Sequence, residues 1–199
     1  MKRAVVIAFT LLFSSCIHEE TVEVSPEKVN QVKTVAQEAM AKLRGELMKN
    51  FKTAISEGGL AGAVSFCAER ASKIEEEVNS ELNGIKVTRV AIKYRNPKHK
   101  PDKLDEKVLR FFEEKLKEGN LPPYYVTAIK KGGKIYYVYY KPLKVAPFCL
   151  KCHGNPENMD KEILEVIRKK YPKDRALNFK AGDLRGACKV VIPEDKLKS

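Results

Sequence analysis

The residues in this chain with the most definite chemistry are Cys149-Leu150-Lys151-Cys152-His153. Two thiols three positions apart, followed at once by an imidazole, form the attachment signature of a c-type haem. Each thiol adds across one vinyl group to give a thioether, and His153 then reaches the iron as proximal ligand. A redox dithiol of the thioredoxin kind would open a helix after a strand in a βαβ unit. Here Pro147 precedes the motif and Gly154, Asn155 and Pro156 follow it, so a loop is expected. A structural zinc site needs a fourth ligand, usually from a second Cys or His pair. The remaining histidines, His18 and His99, are far apart and alone.

The N-terminus carries a second, independent signal. Lys2 and Arg3 are followed by an apolar run from Ala4 to Phe13, too short to span a bilayer and suited to a signal peptide. Phe13-Ser14-Ser15-Cys16 has the form of a bacterial lipoprotein signal, although Phe13 is an unusual residue three before the cysteine. Residues 1–15 are therefore expected to be removed and Cys16 to carry lipid. Residues 16–25 would form a tether, residues 26–193 one domain, and residues 194–199 a tail. Haem c is attached outside the cytoplasmic membrane, so both signals call for the periplasmic side of a bacterial membrane. Of five cysteines, Cys67 and Cys188 are left over, and in an oxidising compartment two such thiols could pair.

The mature chain of about 184 residues is enough for one well-buried domain. The net charge of +12 raises nucleic acid as a partner, but an exported haem protein seldom meets any, and none is expected. Basic charge suits haem propionates, anionic headgroups or an acidic redox partner. Most of the lysines read as solvated surface.

Apolar spacing predicts a long helix from Pro26 to about Glu57, ended by Gly58-Gly59, and a second from about Leu60 to Ser80. Ile85 to Ile92 alternates as a strand. Asp102 caps a third helix reaching Glu118. Tyr124–Lys130 and Lys134–Lys141 read as a hairpin around Lys131-Gly132-Gly133. A fourth helix over Asp160–Lys170 and a final strand over Leu184–Ile192 complete an α+β order with an antiparallel sheet.

A low-spin haem needs a second axial ligand. Cys67, Cys188, His99, Met40, Met48 and Met159 are the candidates. Cys67 lies on the apolar stripe of the second helix, where a free thiol is often simply packed. His99 stands between lysines in a polar loop and is expected in solvent. Met159 follows the motif closely.

Several segments together resemble the PAS-like single-haem c-type sensor family. They are Ala63-Val64-Ser65-Phe66-Cys67-Ala68-Glu69, Arg89 with Tyr94-Arg95-Asn96-Pro97, Pro101-Asp102, Lys141-Pro142-Leu143, Cys149 to Gly154, Tyr171-Pro172-Lys173-Asp174, and Gly182-Asp183-Leu184-Arg185-Gly186-Ala187. The resemblance spans residues 26–193. It implies a PAS-like antiparallel sheet flanked by helices, His153 below the iron and the Cys67 thiolate above it, with Arg89 and Arg95 near the propionates. Three positions depart from the family pattern. His99 stands where a small polar residue is favoured. Leu177-Asn178 replaces Thr-Gly, and Asn tolerates the left-handed backbone such a turn needs. Cys188 takes an apolar position.

The expectation is an exported, lipid-anchored protein with one covalent haem c. It would act as a sensor of redox state or of a gas such as CO or NO, and would signal through a separate partner. The alternative is a periplasmic electron-transfer cytochrome with a redox partner protein. No acid–base pair or nucleophile constellation suggests an enzyme.

Overall fold

The computed structural model describes residues 20–197. The signal segment, Cys16, His18 and the last two residues lie outside the described residues. The architecture is the α+β arrangement expected: β1 (Glu20–Val22), α1 (Pro26–Glu69), α2 (Ala71–Glu81), β2 (Lys86–Val90), α3 (Lys103–Lys117), β3 (Tyr125–Lys131), β4 (Lys134–Lys144), α4 (Leu150–His153), α5 (Lys161–Lys170) and β5 (Leu184–Pro193). The strands form one antiparallel sheet in the order β1-β3-β4-β5-β2.

Two faces of the sheet are covered for reasons visible in the residue pattern. Val32, Ala36, Ala39 and Leu43 recur at helical spacing along α1. With Ile74 and Val78 of α2, they pack on Val87, Tyr139, Val190 and Ile192. Val108, Leu109 and Phe112 of α3 cover the opposite face, against Val90, Val138, Tyr140 and Ala187. Each fully buried Val, Leu, Ile or Phe among them contributes about 1.5–3 kcal/mol. The α1 start is capped by Ser25, with Pro26 at its first position, and α3 opens with the Asp102/Asp105 capping box.

Beyond Leu43 no residue of α1 is fully buried until Ala63. Gly58 (φ −136°) and Gly59 (φ 60°) break the helical geometry there, as the sequence predicts. The segment after this kink returns to face the first half of α1 across a groove.

The second expected helix is not continuous. Arg70 adopts φ −113° and divides it into the end of α1 and α2. No Gly or Pro marks this break, and the apolar stripe runs through it. The expected tether also contains a strand: Thr21 and Val22 pair with Ile129 and Ala128 on the free edge of β3. Two β-branched residues suffice because β3 supplies the ladder. On the other edge the Asn79 side chain bridges α2 to β2, accepting from the Val87 N–H at 2.7 Å and donating to its carbonyl at 3.0 Å.

Strands β2 and β5 approach so closely at Gly186 (φ +152°) that a Cβ there would lie 2.4 Å from the Val90 carbonyl oxygen. Gly186→Ala is expected to destabilise the fold by about 2–3 kcal/mol, lowering the urea midpoint without changing the slope. An unchanged midpoint would show that β2 yields freely.

Candidate haem site

The motif is not an open loop. A 3₁₀ turn over Pro147–Cys149 runs into one helical turn, Leu150–His153. Helical geometry puts Cys149 and Cys152 on one face, which a loop reading from the flanking prolines and glycine does not show. Cys149 packs beside Val145, Ala176 and Phe179. Cys152 packs against the cluster of Val64, Met159, Ile163 and Ile167. Gly154 ends the turn, donating its N–H to the Leu150 carbonyl at 3.0 Å. A Cβ at Gly154 would come within 2.7 Å of that oxygen.

Residues 174–179 clamp the motif from outside. The Phe179 N–H donates to the His153 carbonyl at 3.0 Å, and the Asn178 N–H to the Gly154 carbonyl at 2.9 Å. Asn178 takes φ 60°, the left-handed turn foreseen for this departure from Thr-Gly. The His153 Nδ1 lies 2.8 Å from the Ala176 carbonyl oxygen. A carbonyl only accepts, so Nδ1 carries the proton and donates, and Nε2 keeps its lone pair. Burial lowers the His153 pKa to about 3, with the Arg95 and Arg185 charges adding to the effect and the Ala176 bond opposing it. The imidazole is therefore neutral at physiological pH, the form that binds a metal.

Arg95 makes contacts that the resemblance does not imply. Its guanidinium holds the Asp174 carboxylate at 2.9 and 3.1 Å, the Cys152 carbonyl at 2.6 Å and the Ala176 carbonyl at 3.3 Å. Both side chains are buried, 10% and 6% exposed. With its donors so engaged, Arg95 braces the motif against its clamp. Three residues that spacing could not single out complete the wall. Phe179 meets the His153 ring edge-on at 6.3 Å. Arg185 and Lys93 lie over Phe179, with Lys93 donating to the Leu177 carbonyl and Arg185 to the Lys93 carbonyl at 3.2 Å. Only the resemblance segment Gly182–Ala187 hints at Arg185.

Cys67 sits in the last turn of α1, half-buried. Burial raises its thiol pKa, Arg89 lowers it, Cys152 raises it and Arg95 lowers it. The same neighbourhood pushes Tyr171 up to about 12, through burial first and then Cys67. The fold thus gathers Cys67, Cys152, Arg89, Arg95 and Tyr171 from four separate segments. The other candidate ligands have different surroundings, some of them adjoining Cys67 or Cys152. His99 is not in solvent: its side chain is 14% exposed and its Nε2 lies 3.6 Å from Glu75, which also receives Arg89. Glu75 comes from α2, so the polar loop around His99 gave no sign of it. Met159 is packed in the α5 core cluster. Met40, Met48 and Cys188 line the groove that Cys67 also borders, and Cys67 and Cys188 are free thiols rather than a disulfide.

Among the described residues no three His, Cys, Asp or Glu side chains gather as a bare ion would require. A neutral imidazole with a free Nε2, two thiols one helical turn apart and a third thiol nearby fit a porphyrin, which brings four nitrogens of its own.

A model of the Tll0287-like family matches residues 19–193. Among solved structures, the crystal structure of the cyanobacterial haem protein Tll0287 is similar, with 27% sequence identity, a TM-score of 0.57, and coverage of 88% of this chain and 100% of that one. No curated protein matches.

Arg95→Met would strand the Asp174 carboxylate in a buried setting. It is expected to cost about 3–5 kcal/mol in chemical denaturation, while Lys151→Met at the exposed surface of the same turn stays near the parent. A loss below about 1 kcal/mol would mean that the brace carries no strain.

Proposed function

The chain belongs to the Tll0287-like family, and from that premise we propose that it is a c-type haem protein, with one haem held covalently by Cys149 and Cys152 and ligated by His153 and Cys67. The observation that carries this reading is the His153 imidazole, half-buried, neutral and tied through Nδ1 to Ala176 beside two unpaired thiols. The similarity to a haem protein over most of both chains supports it. The order of charge, apolar run and Cys16 in the sequence supports export and a lipid anchor on the periplasmic side of a bacterial membrane.

A haem bound there would supply an iron that favours thiolate when ferric and can accept CO or NO when ferrous. The chain's own part is to hold and release one proton at Cys67. Ligation requires the thiolate, so the Cys67 proton leaves on binding. Burial holds the free thiol above its usual pKa, so a sulfur that leaves the iron takes its proton back at neutral pH. Cys67 lies between the Gly58-Gly59 kink and the Arg70 break. Its departure would therefore move a short helical segment that packs against α5, and we assign the protein a sensing role on this basis.

A specific feature favours the second reading, an electron-transfer cytochrome: Phe148, next to Cys149, is 55% exposed, and Lys144 and Lys151 nearby are exposed too. An apolar contact ringed by cations suits docking of an acidic redox partner.

Material exported through an intact c-type maturation system is expected to gain the mass of one porphyrin, and Cys149→Ala/Cys152→Ala to gain none. Ferrous protein is expected to bind CO, with Cys67→Ser binding it in both a shorter time and without prior ligand loss. Absence of porphyrin mass would overturn the haem reading. Ferrous protein that refuses CO yet exchanges electrons rapidly would leave the electron carrier in place of the sensor.

A further inference from the structure

The two propionates of haem lie on the edge of the macrocycle opposite the two vinyl groups. The seat proposed above puts the vinyl edge at Cys149 and Cys152 and the iron between His153 and Cys67. The propionate edge would then point away from Cys149 and Cys152. A groove of about 560 Å³ opens beside Cys67, and none of Cys149, Cys152 and His153 reaches its wall. Its size falls in the range that admits a substantial organic group.

The sheet side of this groove is one cross-strand row. Arg89 of β2 pairs with Cys188 of β5, and Cys188 with Lys141 of β4. Directly paired residues point to the same face, here the face that carries Val87, Val190 and Tyr139 into the α1 core. The row therefore sets two cations on either side of a thiol. Arg44 stands on the α1 side of the same groove. The walls contain these three cations and no Asp or Glu; the rest is apolar or uncharged. Among the described residues, the side chains of Arg44 and Lys141 form no ion pair or hydrogen bond, while Arg89 donates to the Glu75 carboxylate through Nε and Nη2, both at 3.4 Å, and lies 3.5 Å from His99. Two exposed cations without a side-chain partner and a half-buried third thus border an apolar cleft, where they can meet an anion.

We infer that Arg44, Arg89 and Lys141 receive the two haem propionates, and that Lys141 and Arg44 take the place that the resemblance gave to Arg95. The inference rests on the haem reading and assigns residues to it. Burying the propionate edge in the groove also ties β2, β4 and β5 to the segment that carries Cys67, so the porphyrin spans the sheet and both halves of α1.

The test uses the mature holoprotein and its reduction potential measured from pH 5 to 9. Cations near a propionate keep it ionised and favour the ferrous state. Lys141→Gln and Arg44→Gln are each expected to lower the potential and to move the pH-dependent step of the potential upward, with a larger change in the double variant. Lys141→Arg, which keeps the charge, is expected to stay with the parent. Lys134→Gln, about 23 Å along β4 from Lys141 and beyond the screening length, is the control and should change neither quantity. If the variants keep their porphyrin mass and ferric spectrum while potential and pH profile match the parent, the inference is wrong and the propionates lie elsewhere. If the parent carries no porphyrin mass, the haem reading fails first and takes this inference with it.

Discussion

Everything at the site depends on one hydrogen bond from a histidine to a main-chain carbonyl. The Ala176 oxygen fixes the His153 tautomer and its ring orientation together. Without it the imidazole would be free to turn, and the short turn that carries both thiols would lack its inner support. Arg95 reinforces the same point by joining the Cys152 and Ala176 carbonyls to Asp174. The segment after α5 thus serves less as a connection to β5 than as the outer jaw of a clamp on the motif.

The jaw is built at the end of a sheet whose centre is ordinary packing. The α1 and α3 faces close two apolar layers. At one end of the sheet the apolar row gives way to Arg89, Cys188 and Lys141, and there the first half of α1 and the segment beyond its kink enclose a groove rather than a core. The motif, Cys67 and this groove follow one another around the same end. A flat cofactor held at one edge by thioethers would then touch a helix, a clamp loop and three strands, which links its coordination state to elements far apart in sequence.

What the sequence reveals and what it hides divides along locality. The motif is legible because its cysteines and histidine fall within five consecutive positions. The long helix, the kink at Gly58-Gly59, the hairpin and the left-handed Asn178 are legible because each follows from nearby residues. The break at Arg70 is hidden because the stripe of Val64, Cys67, Ala71 and Ile74 continues across it without a helix breaker. The strand at Glu20–Val22 is hidden because three residues become a strand only when β3 offers an edge. Burial of His99 depends on Glu75 in α2, and the engagement of Arg95 depends on Asp174, 79 residues away. No periodicity reports such partners, so both residues were read by their neighbours in the chain and found with neighbours in space.

The claim that ties fold to function is that iron sits between the His153 nitrogen and the Cys67 sulfur. Iron K-edge X-ray absorption of the ferric holoprotein addresses it directly. One sulfur neighbour with the remaining neighbours nitrogen is the expected result, and Cys67→Ser should remove the sulfur. A ferric centre with only nitrogen or oxygen around the iron, or a sulfur that survives Cys67→Ser, would contradict it.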